Sequence, residues 1–225
     1  MTNVIWKMEN EMASRPDIHD LLRTIRAQGV IDRRVLDAFR AVPRADFVPP
    51  DLASFAYEDG PLPIAHFQVT TQPSLIAQMV EALELEPGDR ALEVGSGLGF
   101  QAAILSRLCD QVVTVERFPD LAEAARENLR RVGITNVLVL VGDGTLGAPD
   151  LAPFQAIIGG AAAPRVPPTL AEQLDEGGRL VLPIGPGGAE DVTLFRKEDG
   201  KLLRMATVIP ASFVRMVGIY GHPGN

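Results

Sequence analysis

Residues 91–100 read ALEVGSGLGF, a short apolar run that passes directly into three closely spaced glycines. The run predicts a buried strand, and the apolar positions from Phe100 to Leu108 predict a helix behind the glycines. Glycine lets a backbone turn tightly and approach a ligand without an interfering Cβ, and the helix then presents its N-terminal amides there. Because such spacing often forms only a tight turn, the surrounding residues must decide whether a ligand binds.

Glu116 is the first of those residues, since it ends the next predicted strand about 20 residues beyond the glycines. A carboxylate there accepts hydrogen bonds from both ribose hydroxyls of a nucleoside. The glycine spacing departs from the dinucleotide pattern G-x-G-x-x-G, which disfavours NAD and FAD, and Glu93 suits a cationic ligand better than a phosphate. S-adenosylmethionine, with a sulfonium charge, an amino acid moiety and no phosphate, fits this combination.

A further acidic residue, Asp143, stands between two glycines directly after the third predicted strand. In nucleoside-binding folds of this kind, an acidic side chain at that point can bond the adenine amino group. On its own the tripeptide indicates a plain turn. In register with the glycine loop and Glu116, it favours ligand binding.

Strands alternate with helices through the middle of the chain, which predicts βαβ units and a mostly parallel sheet. The predicted strands are residues 91–94, 111–115, 137–141, 156–158 and 179–183, and the predicted helices are residues 100–108, 121–132 and 168–174. Two β-prone runs, 192–196 and 202–209, flank a hairpin signal at residues 198–200, and residues 213–220 form a last β-prone run. We therefore expect an α/β sheet that ends in antiparallel strands.

The N-terminal part of the chain has a helical pattern. Apolar residues recur at helical spacing in residues 17–29 and 32–43, and an aspartate stands ready to cap each helix. A third helix is predicted from about residue 73 to residue 85. We divide the chain into an N-terminal tail and helical segment, residues 1–60, and one compact Rossmann-like core, residues 61–225.

The composition is that of an ordinary globular protein: of 225 residues, 46% are hydrophobic and 22% are charged. The net charge of −8 argues against a nucleic-acid partner bound through its phosphates. Cys109 is the only cysteine and the three histidines stand far apart, so we expect no metal site. Residues 1–15 give no clear pattern. The sequence has no run of about 18 apolar residues, so we expect no membrane span. We expect a cytoplasmic location.

The order of motifs along the chain resembles the protein-L-isoaspartate O-methyltransferase family from about Asp17 to Tyr220. The matching segments are RVLDAF at 34–39, VPR at 42–44, FV at 47–48, LPI at 62–64, Gln68, Gln72-Pro73, Met79, residues 92–100, VER at 115–117, GDG at 142–144, PF at 153–154, AAP at 162–164, QL at 173–174, GG at 177–178, LPIG at 182–185 and FV at 213–214. So many motifs in order are far more specific than the glycine loop alone.

The resemblance implies a Rossmann-like methyltransferase fold, S-adenosylmethionine as cofactor, and damaged proteins or peptides as substrates. The free α-carboxylate of an L-isoaspartyl residue would be methylated, and the ester would then close to a succinimide that hydrolyses partly to aspartate. The resemblance implies that Thr71 provides the catalytic hydroxyl and that the substrate contacts are Ile64, Thr70, Val214 and Arg215. The cofactor contacts that it implies are Glu93, Gly95, Ser96, Gly97, Gly99, Glu116, Arg117, Asp143 and Gly144.

Departures from the family pattern cluster on the substrate side. Where the family has P-I-G-x-G-Q-T-I-S-Q-P, residues 63–73 read PIAHFQVTTQP, with Ala65 and Phe67 in place of glycines and Thr71 in place of the catalytic serine. Threonine keeps a hydroxyl that can donate to a carboxylate, although its extra methyl restricts χ1. Arg215 replaces a proline, and it either adds a cation near a carboxylate substrate or faces solvent. The other replacements are Leu98, Gln155, Gly159, Gly160 and Met216.

Three functions stay open on the sequence. The first is carboxyl methylation of isoaspartyl residues, which needs no strong base because a carboxylate with a pKa of about 4 is already ionised at neutral pH. His66 is accordingly interpreted as a loop histidine. The second keeps the chemistry but uses a different carboxylate acceptor. The third is a cofactor-binding protein that has lost catalysis. Nothing in the sequence indicates the oligomeric state.

Overall fold

The computed structural model describes residues 15–186 and 188–224, so what we expect of residues 1–14 lies outside the described residues. Helices α1 to α6 span Ile18–Ala27, Arg33–Ala41, Pro73–Ala82, Phe100–Leu105, Pro119–Arg131 and Pro168–Gln173. Strands β1 to β9 span Leu62–Ile64, Gln68–Thr70, Arg90–Val94, Gln111–Glu116, Val137–Val141, Phe154–Gly159, Leu174–Ile184, Glu190–Glu198 and Lys201–Ala211. None of the helices described here is long and apolar enough to cross a membrane.

Strands β3 to β9 form one sheet in the order β5-β4-β3-β6-β7-β8-β9. The pairs from β5 through β7 are parallel, whereas β7–β8 and β8–β9 are antiparallel. The predicted α/β fold, with a mostly parallel sheet, antiparallel C-terminal strands and N-terminal helices, is confirmed. The chain runs outward from β3 through β4 to β5 and then returns to β6. In open parallel sheets, ligands bind at the carboxyl ends of the strands at such a reversal.

Apolar side chains on both faces bury the parallel strands. Leu92 and Val113 join one apolar cluster with Leu180, while Val112 and Ile158 join the cluster on the opposite face. Strands covered on both faces read as nearly continuous apolar runs, as β3 and β4 do.

The N-terminal helices start at their predicted caps and share a core with the sheet. Asp17 Oδ1 accepts hydrogen bonds from two backbone amides in the first turn of α1, and Asp32 Oδ1 accepts one from Arg34 N at 2.8 Å. Leu22 of α1 and Phe39 of α2 belong to the same apolar cluster as Val112. This cluster anchors the helical segment to the sheet.

The predicted strand at residues 213–220 is wrong. Within the described residues, this segment forms only isolated bridges, from Ala162 to Arg215 and from Val217 to His222. The segment crosses the end of the sheet instead of joining it, because Met216 turns inward and is buried. A tight turn then follows, in which His222 N donates to Met216 O at 2.7 Å.

Strand β7 begins at Leu174, directly after α6, whereas the sequence predicts a strand only from Arg179. Gly177 has a positive φ of 74°, and the pairing register with β6 shifts between Phe154 and Ala156. Glycine tolerates this backbone conformation, so the two glycines at 177–178 bend the strand instead of ending it.

Candidate active site

A cleft opens at the carboxyl ends of β3, β4 and β6. Its walls include residues 95 and 97 of the glycine loop, residues 116–118 after β4, Gly144 after β5, residues 160–161 after β6, and residues 214–217. We call it the sheet cleft. The structure therefore brings the three sequence signals after β3, β4 and β5 to one place.

The glycine loop is a narrow turn between β3 and α4. Gly95 N donates to Val115 O at 2.8 Å, which ties the start of the loop to β4. Gly99 precedes α4 with a φ of 93°, and a Cβ added there would lie 3.3 Å from Ala125 Cβ. Both the left-handed backbone and the close approach of α5 explain why glycine stands at this position.

Glu116 is fixed by two backbone amides at the mouth of the sheet cleft. Its Oε2 accepts from Gly97 N at 2.9 Å, and its Oε1 accepts from Phe118 N at 3.1 Å. The carboxylate thus keeps a single orientation, while each oxygen retains a further lone pair for a ligand. This is the arrangement that a pair of ribose hydroxyls requires.

Glu93 lies fully buried behind the glycine loop and does not line the sheet cleft. Thr114 Oγ1 donates to Glu93 Oε2 and also shares a hydrogen bond with Ser96 Oγ at 2.6 Å. Among the described residues, Glu93 Oε1 and the amide Nε2 of the neighbouring Gln101 have no hydrogen-bond partner. Burial raises the pKa of Glu93 to about 7, and the charge of Glu116 adds to this shift.

Asp143 couples the end of β5 to the C-terminal segment. Its Oδ1 accepts from the Thr145 backbone amide and hydroxyl, and its Oδ2 accepts from Ile219 N at 2.8 Å. Partial burial acts to raise the pKa of Asp143, but the hydrogen bonds from Ile219 and Thr145 hold that pKa below its usual value. Ile219 carries no motif, so sequence reasoning missed this contact.

Arg117 and Gly144, two more of the predicted cofactor residues, also line the sheet cleft, whereas Ser96, Gly99 and Asp143 do not. Arg117 is exposed, and its guanidinium lies 4.9 Å from the centre of the Phe118 ring. A Cβ added to Gly144 would come within 2.4 Å of Val94 Cγ1, so only glycine lets this turn pass so close to β3.

A second depression runs along α3 and the end of β9. We call it the hairpin groove, because Val69 and Thr71, in and just after the β1–β2 hairpin, form one wall. Val214 and Gly160 line both this groove and the sheet cleft. The two depressions therefore meet where β6 ends, next to Thr71.

The structure separates the predicted substrate contacts into two groups. Thr71 and Val214 line the hairpin groove, and Thr70 lines a small pocket between Thr71 and the glycine loop. Ile64 instead packs over the glycine loop, since its Cδ1 lies 3.6 Å from where a Cβ on Gly97 would stand. Arg215 is exposed and lines the sheet cleft, away from the hairpin groove.

Two residues at the tip of the β1–β2 hairpin adopt a left-handed backbone conformation, and one of them, Phe67, stands where the family has glycine. His66 and Phe67 have positive φ values of 59° and 56°, which non-glycine residues rarely adopt. Two contacts of His66 offset the cost of this conformation: its ring stacks on Phe118 with a centroid distance of 4.1 Å, and its Nε2 lies 2.8 Å from Asp120 Oδ2. The Phe67 side chain is fully exposed and stays out of the hairpin groove.

Sequence reasoning also missed Arg44, which is completely buried beside the β1–β2 hairpin. Its guanidinium donates to five oxygens: Ala56 O at 2.9 Å, Glu58 O at 3.1 Å, Gly60 O at 3.1 Å, Thr70 Oγ1 at 2.8 Å and Thr71 O at 3.3 Å. The available signal was a lone arginine between the buried apolar residues Val42 and Phe47.

The family model for protein-L-isoaspartate(D-aspartate) O-methyltransferase matches residues 17–220. The chain belongs to this family. Among curated relatives, the protein-L-isoaspartate O-methyltransferase of Methanoculleus marisnigri is 48% identical over 204 residues, which are 89% of this chain and 91% of the relative. That of Koribacter versatilis is 42% identical and covers 94% of this chain and 98% of the relative.

Solved structures of the same family have the same fold. One protein-L-isoaspartate O-methyltransferase is 31% identical with a TM-score of 0.79, and the match covers 91% of this chain and 67% of that one. A structure from Plasmodium falciparum, assigned to the same activity, is 25% identical with a TM-score of 0.77, and the match covers 90% and 99% of the two chains. It holds S-adenosyl-L-homocysteine, the product that remains when S-adenosylmethionine has given up its methyl group.

Proposed function

We propose that the chain transfers a methyl group from S-adenosylmethionine to the free α-carboxylate of L-isoaspartyl residues in damaged proteins or peptides. Membership of the protein-L-isoaspartate O-methyltransferase family supports this activity. The observation that carries it is the meeting of the sheet cleft and the hairpin groove at Gly160 and Val214. A donor and an acceptor that occupy the two depressions come into contact only at that junction.

The residues of the sheet cleft fit S-adenosylmethionine. Glu116 would accept hydrogen bonds from the ribose hydroxyls, and Asp143, next to the cleft residue Gly144, would accept one from the adenine amino group. Gln101 lines the small pocket beside the glycine loop, and its Nε2, which has no partner among the described residues, would donate to the polar amino acid end. Glu93 lies buried behind that loop. When bound, S-adenosylmethionine supplies a methyl group carried on a cationic sulfur.

On the acceptor side, the chain has to hold and orient a carboxylate that is already ionised at neutral pH. Thr71 and Thr70 line the small pocket between the junction of the two depressions and the glycine loop, and a hydroxyl can donate a hydrogen bond to a carboxylate oxygen. Holding the acceptor oxygen in line with the methyl group gives the larger part of the rate enhancement, because no proton has to be removed.

The β1–β2 hairpin excludes water from the junction. Ile64 packs over the glycine loop, and His66 holds the tip of the hairpin against Phe118 and Asp120. A dry site strengthens the hydrogen bonds to the acceptor and prevents solvent from competing with it. We assign these hairpin residues a positioning role and Thr71 the catalytic hydroxyl.

Incubation with labelled S-adenosylmethionine and an isoaspartyl peptide tests the proposal. The expected product is a base-labile methyl ester, formed far faster than with the matched aspartyl peptide. Equal or absent transfer to the two peptides would contradict the proposed activity.

A second candidate, methylation of a different carboxylate, is favoured by the departures at Ala65 and Phe67 in the hairpin tip. It predicts transfer to carboxylates in a cell extract but none to isoaspartyl peptides. The expected cytoplasmic location stays a prediction.

A further inference from the structure

The guanidinium of Arg44 is a buried cation without a direct counter-ion. Within residues 15–186 and 188–224, no carboxylate lies within ion-pair distance of it. The charge of Asp59 acts on it through space, but the Asp59 oxygens are occupied by hydrogen bonds from Gln72 and Ser74. The five oxygens that Arg44 contacts directly are all uncharged.

A buried charge of this kind is unfavourable unless an opposite charge compensates it. Burial lowers the pKa of Arg44 to about 10, so the side chain is still protonated at neutral pH. The carbonyl contacts satisfy most of its N–H groups, although Nε has no partner in the described part of the chain. Asp59 offsets the charge only through space, so an anionic ligand beside Thr70 and Thr71 would compensate it further.

Arg44 contacts both threonines of the predicted acceptor site. Nη2 donates to Thr70 Oγ1 at 2.8 Å and to Thr71 O at 3.3 Å, and both threonines line the pocket beside the glycine loop. Because Thr70 Oγ1 accepts from Arg44, its proton stays available for another acceptor. A hydroxyl that accepts from a cation is polarised and becomes a stronger donor.

We propose that Arg44 is a positioning residue that gives the acceptor site its preference for an anionic carboxylate, acting through the Thr70 hydroxyl and the Thr71 backbone. This inference rests on the proposed function, because it takes the isoaspartyl α-carboxylate as the ligand. The net charge of −8 offers no general attraction for such an anion. Arg215, the other candidate cation, lines the sheet cleft instead.

Calorimetry with two peptides tests this role without requiring turnover. One is an isoaspartyl peptide with its free α-carboxylate, and the other is the same peptide with an α-carboxamide. Both are titrated into the full chain with S-adenosylhomocysteine present. The variants are Arg44→Met, which removes the charge, and Arg44→Lys, which keeps it.

The matched control is Arg179→Met. Arg179 also donates to loop carbonyls, those of Leu83 and Glu84, but it is paired with Asp89 and lies outside both depressions.

We expect the unmodified chain to bind the carboxylate peptide more tightly than the carboxamide peptide. Arg44→Met should weaken carboxylate binding about ten- to a hundredfold, since hydrogen bonds to charged groups contribute that much, while carboxamide and S-adenosylhomocysteine affinities change little. Arg44→Lys should restore part of the preference, and Arg179→Met should leave it unchanged. The proposal is overturned if Arg44→Met weakens the binding of both peptides equally, or if the unmodified chain binds the two peptides with equal affinity.

Thr70→Val and Thr70→Ser keep the proposal testable if Arg44→Met does not fold. Thr70→Val leaves the cation in place but removes the hydroxyl that relays its effect, so the preference should fall, whereas Thr70→Ser should keep it. A Thr70→Val variant with full preference would refute the relay. Methyl transfer to the isoaspartyl peptide is measured alongside. If the unmodified chain prefers the carboxylate peptide but transfers no methyl group, only the proposed function is contradicted. If methyl transfer occurs but the preference for the carboxylate peptide does not depend on Arg44, only this inference is contradicted.

Discussion

The sheet cleft and the hairpin groove are built in different ways. Most residues that line the sheet cleft follow directly after parallel strands, and backbone amides fix the side chain of Glu116. The hairpin groove draws its residues from distant parts of the chain, from Gln28 to Val214. The glycine loop and residues 115–117 keep the family motif, with Leu98 as the exception, whereas the β1–β2 hairpin beside the groove departs from it at Ala65, Phe67 and Thr71. Three further departures, Gly160, Arg215 and Met216, line the sheet cleft itself.

This difference has a physical origin. The carboxyl ends of parallel strands meet at one edge, so the sheet alone places the groups that follow them. A groove between a hairpin, a helix and a terminal segment depends on packing, and one replaced residue shifts its walls. We therefore expect the cofactor side to tolerate little change and the acceptor side to tune the substrate.

The largest effect is expected from Glu116→Ala. It removes a carboxylate and leaves the amides of Gly97 and Phe118 without their acceptor. Affinity for S-adenosylhomocysteine, measured by calorimetry, should fall about a thousandfold, or about 4 kcal/mol, for two lost hydrogen bonds to a charged group. Glu123→Ala is the control, because Glu123 is exposed on α5 and pairs only with Arg126 among the residues described. A loss below about threefold in Glu116→Ala would show that this residue does not hold the cofactor.

The sheet cleft was largely predictable from sequence, and the hairpin groove was not. Glycine spacing, the carboxylate after β4 and the acidic turn after β5 are local signals that the parallel sheet brings together. Arg44 and Ile219 reach the site by long-range packing, which leaves no periodicity to detect. The expected strand at 213–220 was wrong for the same reason, since the burial of Met216 and the turn after it override the β-propensity of the run.

Glu93 should make stability depend on pH. Its folded-state pKa of about 7 lies above its ordinary value of 4.5, so the folded state binds the proton more tightly. The resulting stabilisation, up to about 3 kcal/mol, is present in full below pH 4.5 and is lost as the pH rises through 7.

Urea unfolding of the ligand-free chain between pH 5 and 8 measures this loss. The free energy of unfolding should fall relative to that of Glu93→Gln, whose amide does not titrate. Glu123→Gln, an exposed control, should follow the unmodified chain. Parallel curves for the unmodified chain and Glu93→Gln would mean that Glu93 does not titrate in this range.

Thr71 tests whether a hydroxyl on the acceptor side contributes to catalysis. Thr71→Val keeps the shape but removes the donor, so kcat/KM on the isoaspartyl peptide should fall about thirtyfold, or about 2 kcal/mol. Affinity for S-adenosylhomocysteine should stay unchanged, and Thr71→Ser should retain activity. If Thr71→Val is as active as the unmodified chain, the catalytic hydroxyl belongs to another residue.

The smallest effect is expected at Phe67. Its side chain is fully exposed and outside the hairpin groove, and its φ of 56° suits glycine. Phe67→Gly should therefore leave KM for the isoaspartyl peptide within about twofold. A larger change in KM would place this tip residue in contact with the substrate and would make the hairpin a determinant of specificity.

The position of the transferred methyl group tests the central claim most directly. Tandem mass spectrometry of an isoaspartyl peptide, after reaction with S-adenosylmethionine and the unmodified chain, locates that group on a single carboxyl. The junction of the sheet cleft and the hairpin groove predicts a methyl ester on the α-carboxylate of the isoaspartyl residue. A methyl group on any other carboxyl of the peptide, or neither methyl ester nor the succinimide formed from it, would contradict it.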